Sequence, residues 1–267
     1  MNGINRFLRT WLLFIAAVAV WELATRAANS VFFPPPSEIL ANSAGLWFSG
    51  PPSRLFLTDT VYENVLPSIG RVLAGWSIAV VLGVGLGTAF GRSRTGMDYA
   101  GPLFAFARAI PPPTLIPVFM VLLGIGTEMQ LATIVFGSVW PILLNTVDGV
   151  RSVSRTQEET AKSFRTPARY WIAMVVLPAA LPKIFAGLRL SLSIALILMV
   201  LSEMVGALNG IGYALISAQE AFDFPDLWSG IVLLGVLGYG LNTLLLGVEH
   251  RVLRRQPARE ALLHTGA

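Results

Sequence analysis

Residues 227–248 read LWSGIVLLGVLGYGLNTLLLGV, with no charged side chain between Leu227 and Val248. A helix needs about 20 predominantly apolar residues to cross a hydrocarbon core about 30 Å thick, and this run is long enough. Inside lipid, a helix satisfies its backbone N–H and C=O groups within one segment, so a run of this kind is read as a membrane helix. Three more stretches are equally free of charge: Val72–Phe90, Ala109–Thr127 and Met129–Val147. Two others carry isolated charges. Phe7–Thr25 has Arg9 near its start and Glu22 near its end, and Ile184–Ser202 has Arg189 in its first third. Together these predict about six transmembrane helices in an all-α integral membrane protein. Tyr170–Pro182 is apolar but too short to span, and reads as an interfacial segment leading into the fifth helix.

Composition agrees with this. The chain is 54% hydrophobic and 13% charged, with a mean hydropathy of +0.67. Typical soluble domains carry about 25% charged residues. There are no cysteines, which excludes disulfides and cysteine-ligated metals. At the N-terminus, Arg6 and Arg9 precede the apolar run Trp11–Trp21, followed by Ala24, Ala27 and Ala28, a pattern that resembles a signal peptide. Trp21, Glu22 and Leu23 make a poor cleavage region, so the run is read as an uncleaved first span.

The net charge of +4 and pI near 9.8 would fit nucleic acid, but the distribution of the charges argues otherwise. With the N-terminus inside, the inner segments hold Arg6, Arg9, Arg92, Arg94, Arg151, Arg155, Lys162, Arg165, Arg169, Arg251, Arg254, Arg255 and Arg259. The outer loops hold only Arg26 and Arg54, and the one between helices five and six carries Glu220, Asp223 and Asp226. Basic loops stay in the cytoplasm. Both termini are therefore expected inside, with anionic inner-leaflet lipid, not nucleic acid, facing the basic residues. Segment 31–67 is the longest outer connection; Pro34, Pro35, Pro36, Pro51 and Pro52 stop any helix running through it.

Catalytic signatures are missing. Neither lysine, Lys162 or Lys183, follows a glycine, so there is no phosphate-binding G-x-x-x-x-G-K loop. His250 and His264 make no metal pattern. A nucleophile-elbow G-x-S-x-G is absent as well. No catalytic residue, metal or cofactor is expected in this chain.

The inner loop from Arg151 to Leu190 reads RSVSRTQEETAKSFRTPARYWIAMVVLPAALPKIFAGLRL. Thr156 with Glu159 fits a capping box. Glu158 and Glu159 fall in a first turn, where the helix dipole favours negative charge, and Pro167 ends the helix. This predicts a short polar helix on the cytoplasmic face. From the residues alone, a solvated connector capped by Glu159 explains the pattern as well as a docking helix does.

Glu159-Thr160-Ala161, then Leu177-Pro178-Ala179-Ala180-Leu181-Pro182 and Gly187-Leu188-Arg189, resemble the "EAA" loop of binding-protein-dependent ABC permeases. Other matching positions are Ser68-x-x-Arg71-Val72 with Gly75, Arg108-x-Ile110-Pro111, Gly124-x-Gly126, and Pro141-Ile142 followed by Asn145-Thr146 and Gly149. Ser202-Glu203-Met204, Asn209-Gly210-Ile211-Gly212-Tyr213 and Glu249 continue the series. The set is most similar to the nitrate/sulfonate/taurine branch and covers roughly residues 60–255.

The resemblance implies a permease subunit of an importer in the bacterial cytoplasmic (inner) membrane. It would work as a homodimer, with a cytoplasmic ATPase dimer that binds the ATP and with a periplasmic or lipid-anchored solute-binding protein. Its substrate would be a small anion such as an aliphatic sulfonate or taurine, with nitrate or a small heterocyclic vitamin precursor as alternatives. Residues 1–60 would form the first helix and outer connection. Residues 61–255 would form the permease domain, with the coupling loop at 151–182, and 256–267 a cytoplasmic tail. ATPase coupling would fall to Glu158, Glu159, Thr160, Ala161, Lys162, Ser163 and Arg165. The family usually has glycine where Arg165 stands. Either the helix ends differently here, or Arg165 adopts a left-handed conformation and an ATPase contact offsets the strain.

Pro111, Pro112, Pro113 and Pro117 break the start of the third span, which favours a place near a water-filled pathway over a simple kink. Ionisable residues at membrane depth are functional candidates. Arg108 and Arg189 lie toward the inner side, where snorkelling explains them as well. Glu22 lies near a span end. Glu203, toward the outer end of helix five, is either a gate residue or half of a packing ion pair. Asp148 marks the inner end of helix four. Gly75, Gly83, Gly85, Gly87 and Gly91 permit close helix approach, either between subunits or within one. Two other classes remain open. An ion-coupled secondary transporter would need mid-membrane carboxylates, and only Glu22 and Glu203 come near. A membrane-anchored enzyme or scaffold would not need the polar helix.

Overall fold

The computed structural model describes residues 3–254, with side chains from Trp11 onward. The tail 256–267, including Arg259, lies outside the described residues, as do Arg255 and the side chains of Arg6 and Arg9. Every regular element among the described residues is helical. The α-helices are α1 (Gly3–Ala28), α2 (Pro36–Phe48), α3 (Leu66–Arg92), α4 (Arg94–Ala109), α5 (Ile116–Leu123), α6 (Thr127–Arg151), α7 (Arg155–Ser163), α8 (Ala168–Trp171), α9 (Leu177–Gly206), α10 (Ile211–Glu220) and α11 (Phe224–Leu253). Five helical stretches are long and apolar enough to cross a membrane: Trp11–Ala28, Val61–Arg92, Thr127–Arg151, Ala168–Gly206 and Phe224–Leu253. A sixth arises if the pair Arg94–Ala109 and Pro112–Leu123, bent by 84°, counts as one span.

The third expected span, Ala109–Thr127, is therefore not one straight helix. α4 ends at Ala109, and α5 is only 8 residues long, about 12 Å at 1.5 Å per residue. Pro111, Pro112 and Pro113 carry no N–H to continue the ladder, and each disfavours helical geometry in the residue before it. Pro112 instead opens a short 3₁₀ turn, Pro112–Leu115. At the far end, the turn into α6 uses Gly124 and Gly126 at φ +80° and +146°, values that side-chain-bearing residues rarely adopt.

A second difference lies at Tyr170–Pro182. This stretch belongs to a continuous helix of 39 residues, Ala168–Gly206, rather than to a separate interfacial segment. At Ile172–Val176 the helix widens, and the Leu177 N–H donates to the Ile172 carbonyl five residues back. The wide turn sits just before Pro178, whose ring and missing N–H a regular α-turn would not accommodate. The rod is about 58 Å long by helix rise. That exceeds the 40–45 Å of a bilayer with its headgroups, so it extends beyond the hydrocarbon.

The chain divides into two compact units, Met1–Ser68 with Ala207–Val236, and Ile69–Gly206 with Leu237–Ala267. In the first, the prolines of segment 31–67 bound a helix. Pro35 is the N-cap of α2 and Pro36 its first residue, where proline's fixed φ fits and no N–H is missed. α2 buries Pro36, Ile39, Ser43 and Trp47 along one face. Asn42 Nδ2 donates to Asp226 Oδ1 at 2.6 Å, and Trp228 Nε1 to the Phe32 carbonyl at 3.0 Å. α10 starts at Gly210 with φ +126°. The Gly210 and Ile211 amides donate to Asn64 Oδ1 and Ser68 Oγ, both at 2.9 Å.

In the second unit α6 is the core helix; 56% of its most apolar window is buried. Small residues let its neighbours close in. A Cβ on Gly75, Gly83, Gly87 or Gly91 of α3 would lie within 3.0 Å of Ile134, Ile142, Thr146 or Val150 on α6. The two rows match in register, so these glycines pack α3 on α6 within one subunit. Gly85 faces open space. On the other side, Gly149 of α6 meets Ala180, and Gly187 of α9 meets Pro141 and Asn145.

Candidate functional site

Two features of the second unit carry functional weight: the short polar helix α7 and the ionisable side chains within the membrane helices. α7 covers 9 residues, Arg155–Ser163, and buries none of them. Its N-cap is Ser154, whose Oγ accepts the Gln157 N–H at 3.4 Å, not Thr156 as the capping-box pattern predicts. Thr156 lies within the first turn, and its carbonyl accepts the Thr160 hydroxyl at 2.8 Å. Glu159 is therefore free of capping duty and pairs with Arg155 at 2.8 Å. Glu158 pairs with Lys162 at 3.1 Å. This bond from Lys162 is the main reason that the Glu158 pKa lies below the ordinary glutamate value, with Arg92 and Arg155 adding to it. Such exposed i,i+4 pairs contribute about 0.3–0.5 kcal/mol each.

The helix ends in a Schellman motif. The Thr166 N–H donates to the Ala161 carbonyl at 2.9 Å, and the Arg165 N–H to the Lys162 carbonyl at 3.0 Å. Arg165 has φ +51°, so it does hold the left-handed conformation in which glycine is free of strain. Phe164, beside it, is 80% exposed. Ala161 ties α7 to the rest of the unit by packing on the cluster around Trp171, which also includes Val150, Val176 and Ala180. Arg92, the last residue of α3, lies over the Trp171 ring at 5.8 Å. Through Trp171, the base of α7 rests on the start of the long rod that ends at Gly206.

At the other end of that rod, Glu203 is 1% exposed and Arg71 of α3 is 8% exposed. Arg71 Nη1 donates to Glu203 Oε1 at 2.8 Å. Glu203 is thus half of a packing ion pair, one of the two roles open from sequence. Near it, Gln130 Nε2 of α6 donates to the Gly206 carbonyl at 3.4 Å. Midway, Trp76 Nε1 donates to Ser191 Oγ at 2.8 Å. Arg189 does not simply snorkel, since its Nε lies 3.5 Å from Glu249 Oε2. Sequence reasoning missed both partners. Arg71 and Glu249 stand there only as positions that match the family, each one residue outside an apolar run, Val72–Phe90 and Leu227–Val248.

The remaining candidates lie around the α4–α5 break. Arg108 is exposed in the last turn of α4. Pro111 and Pro113 are exposed, while Pro112 is half-buried against Gly137 of α6. Glu22 pairs with Arg26 and accepts the Ser37 amide at 3.0 Å. Among the described residues, no group of three His, Cys, Asp or Glu could hold a metal.

Comparison with known proteins settles the class. The family model described as "binding-protein-dependent transport system inner membrane component" matches residues 79–256. The chain belongs to this family. It is 27% identical over 233 residues to the taurine transport system permease protein TauC of Escherichia coli (strain K12), covering 87% of this chain and 83% of that protein. It is 30% identical over 199 residues to the bicarbonate transport system permease protein CmpB of Synechococcus elongatus, covering 74% and 72%. Among solved structures, an inward facing conformation of the MetNI methionine ABC transporter includes a chain with a TM-score of 0.61 and 18% identity. The match covers 72% of this chain and 93% of that one; it supports the fold. The protein is a multi-pass ABC importer permease subunit.

Proposed function

We propose that two copies of this permease enclose one pathway for a small anion, driven by a pair of cytoplasmic ATPase subunits and loaded by an external solute-binding protein. The observation that carries this reading is α7. It is a polar, unburied helix of 9 residues, shorter than the 12–15 residues at which isolated helices become even marginally stable in water. A groove on a partner would complete its packing. Its base rests on Trp171 at the head of a continuous rod, so a push on α7 is delivered to the membrane helices. Glu158, Glu159, Thr160, Ala161, Lys162, Ser163 and Arg165 are the coupling residues, and Arg108 with Pro111, Pro112 and Pro113 stay candidates for the pathway. ATP itself is bound by the ATPase partner. Both termini lie in the cytoplasm of a bacterial inner membrane, since basic residues cluster at the matching helix ends.

The preferred solute is an aliphatic sulfonate or taurine, supported by the likeness to TauC. The likeness to CmpB favours a second reading, a small planar oxyanion such as bicarbonate or nitrate. Most of the selection would fall to the binding protein. The test combines Glu159→Lys with taurine uptake in cells supplied with the cognate ATPase and binding protein. A lost interface hot spot costs about 2 kcal/mol or more, roughly thirtyfold in affinity. Membrane abundance should stay near wild type while co-purified ATPase and uptake fall. Full ATPase binding and full uptake in Glu159→Lys would reduce α7 to a connector. For orientation, single cysteines at positions 220 and 160 suffice, because the chain has none of its own. Outside reagent should label 220 and spare 160; the reverse pattern overturns the topology.

A further inference from the structure

A cleft of about 850 Å³ opens between α7 and the ends of α3 and α6. Its charges divide into two sets. On α7, Arg155 is matched by Glu159 and Lys162 by Glu158, so that wall is nearly neutral. The opposite wall carries Arg92, Arg94 and Arg151 against one carboxylate, Asp98. All three arginines are exposed, and none forms an ion pair with an acidic side chain among the described residues. The excess is two positive charges, in a concavity wide enough for more than a simple ion.

Its depth is also informative. Arg92 and Arg151 are the last residues of α3 and α6, and Arg94 is the first of α4. Helices of this length place their ends at the headgroup layer. Basic pockets between membrane helices at the cytoplasmic surface fit the headgroups of anionic lipids, and arginine's planar fork matches phosphate oxygens in a bidentate way. Arg92 is also held over Trp171, the residue on which α7 rests.

We propose that this cleft is a binding site for the phosphate of an anionic phospholipid headgroup, held by Arg92, Arg94 and Arg151 at the base of α7. The site depends on the transport reading only for which leaflet supplies the lipid. Bound there, the headgroup neutralises the arginine wall and joins the ends of α3, α4 and α6 beside α7.

The test uses the purified full-length permease in detergent, with native mass spectrometry to count retained lipid. Needing neither ATPase nor solute, it can fail while the transport reading stands, and the converse also holds. Wild type should retain added phosphatidylglycerol and not phosphatidylcholine. Arg94→Gln with Arg151→Gln removes two of the three charges from exposed positions, and retention should fall roughly thirtyfold. Inorganic phosphate, added in large excess, tests the other source of the same chemistry. Lipid that resists phosphate but is lost in the double variant supports the proposal. Displacement by the excess free phosphate would show a soluble anion site and overturn the lipid assignment. Equal retention of both lipids, or full retention in the double variant, would overturn the site.

Discussion

The buried pair Arg71–Glu203 gives the sharpest test of how the second unit is fastened. Two unit charges about 4 Å apart attract by about 4 kcal/mol at an effective dielectric near 20. Their desolvation costs a similar amount, so the pair as a whole is worth little against an apolar pair of the same shape. Removing one partner is different, because the other charge stays buried. Glu203 is 1% exposed, too deep for water to replace it. Glu203→Leu should therefore destabilise by about 3–5 kcal/mol. At roughly 2–4 °C per kcal/mol for a chain of this size, the lower bound is a fall of about 6–12 °C in apparent Tm. The double variant Arg71→Met with Glu203→Met removes both charges and keeps much of the volume. It should lie within about 1 kcal/mol of wild type. The assay is thermal unfolding of the purified permease in mild detergent, followed by tryptophan fluorescence. A double variant as unstable as Glu203→Leu would refute the reasoning, since the loss would then come from missing contacts and not from a charge imbalance at the buried pair.

Gly87→Ala and Gly85→Ala should act in opposite directions in the same assay. A Cβ at 87 would stand 2.8 Å from the Leu143 carbonyl, whereas at 85 it meets nothing. The first should cost about 1–3 kcal/mol through overpacking, and the second should gain up to about 1 kcal/mol from helix propensity. Arg165→Gly should relieve about 1 kcal/mol of left-handed strain, read as slower amide exchange at Thr166; unchanged exchange would contradict the strain. Glu158, whose pKa is depressed, stabilises α7 fully above the ordinary glutamate pKa near 4.5. That contribution fades as the pH falls through its lower folded value. A spin label at position 163 should gain mobility over that window in wild type and not in Glu158→Gln.

Local physics made most of the spans legible and hid most of what joins them. An apolar run is a property of neighbouring residues, so α3, α6 and α11 could be read directly. The break at Pro111–Pro113 was equally visible, because proline's missing N–H acts on the spot; the 84° bend that follows depends on packing and was not. Ion pairing is not local at all. Arg71 and Glu203 stand 132 residues apart, and nothing in either neighbourhood names the other. The glycines of α3 show the same limit: their spacing announced a close approach, but only the matching row on α6 identified the partner. At α7 the cap is Ser154, two residues before the expected Thr156. The earlier register wins because Ser154 has the extended backbone, φ −68° and ψ 146°, that a cap requires.

Arg165 shows how an unfavourable residue can mark a fixed requirement. Its left-handed φ of +51° costs about 1 kcal/mol that glycine would avoid. The two Schellman bonds from Arg165 and Thr166 recover part of that cost by satisfying carbonyls at the end of α7. They also turn the chain sharply, so that only Thr166 and Pro167 separate Arg165 from Ala168, the start of the rod. A relaxed end would lengthen or redirect this joint, and a displacement of α7 would then be absorbed in the linker. With the turn held, Ala161 on α7 and Trp171 on the rod stay in one packed cluster. The polar helix α7 and the rod Ala168–Gly206 therefore meet in one packed cluster. The same side chain that strains the turn is exposed at the tip of α7, next to the exposed Phe164.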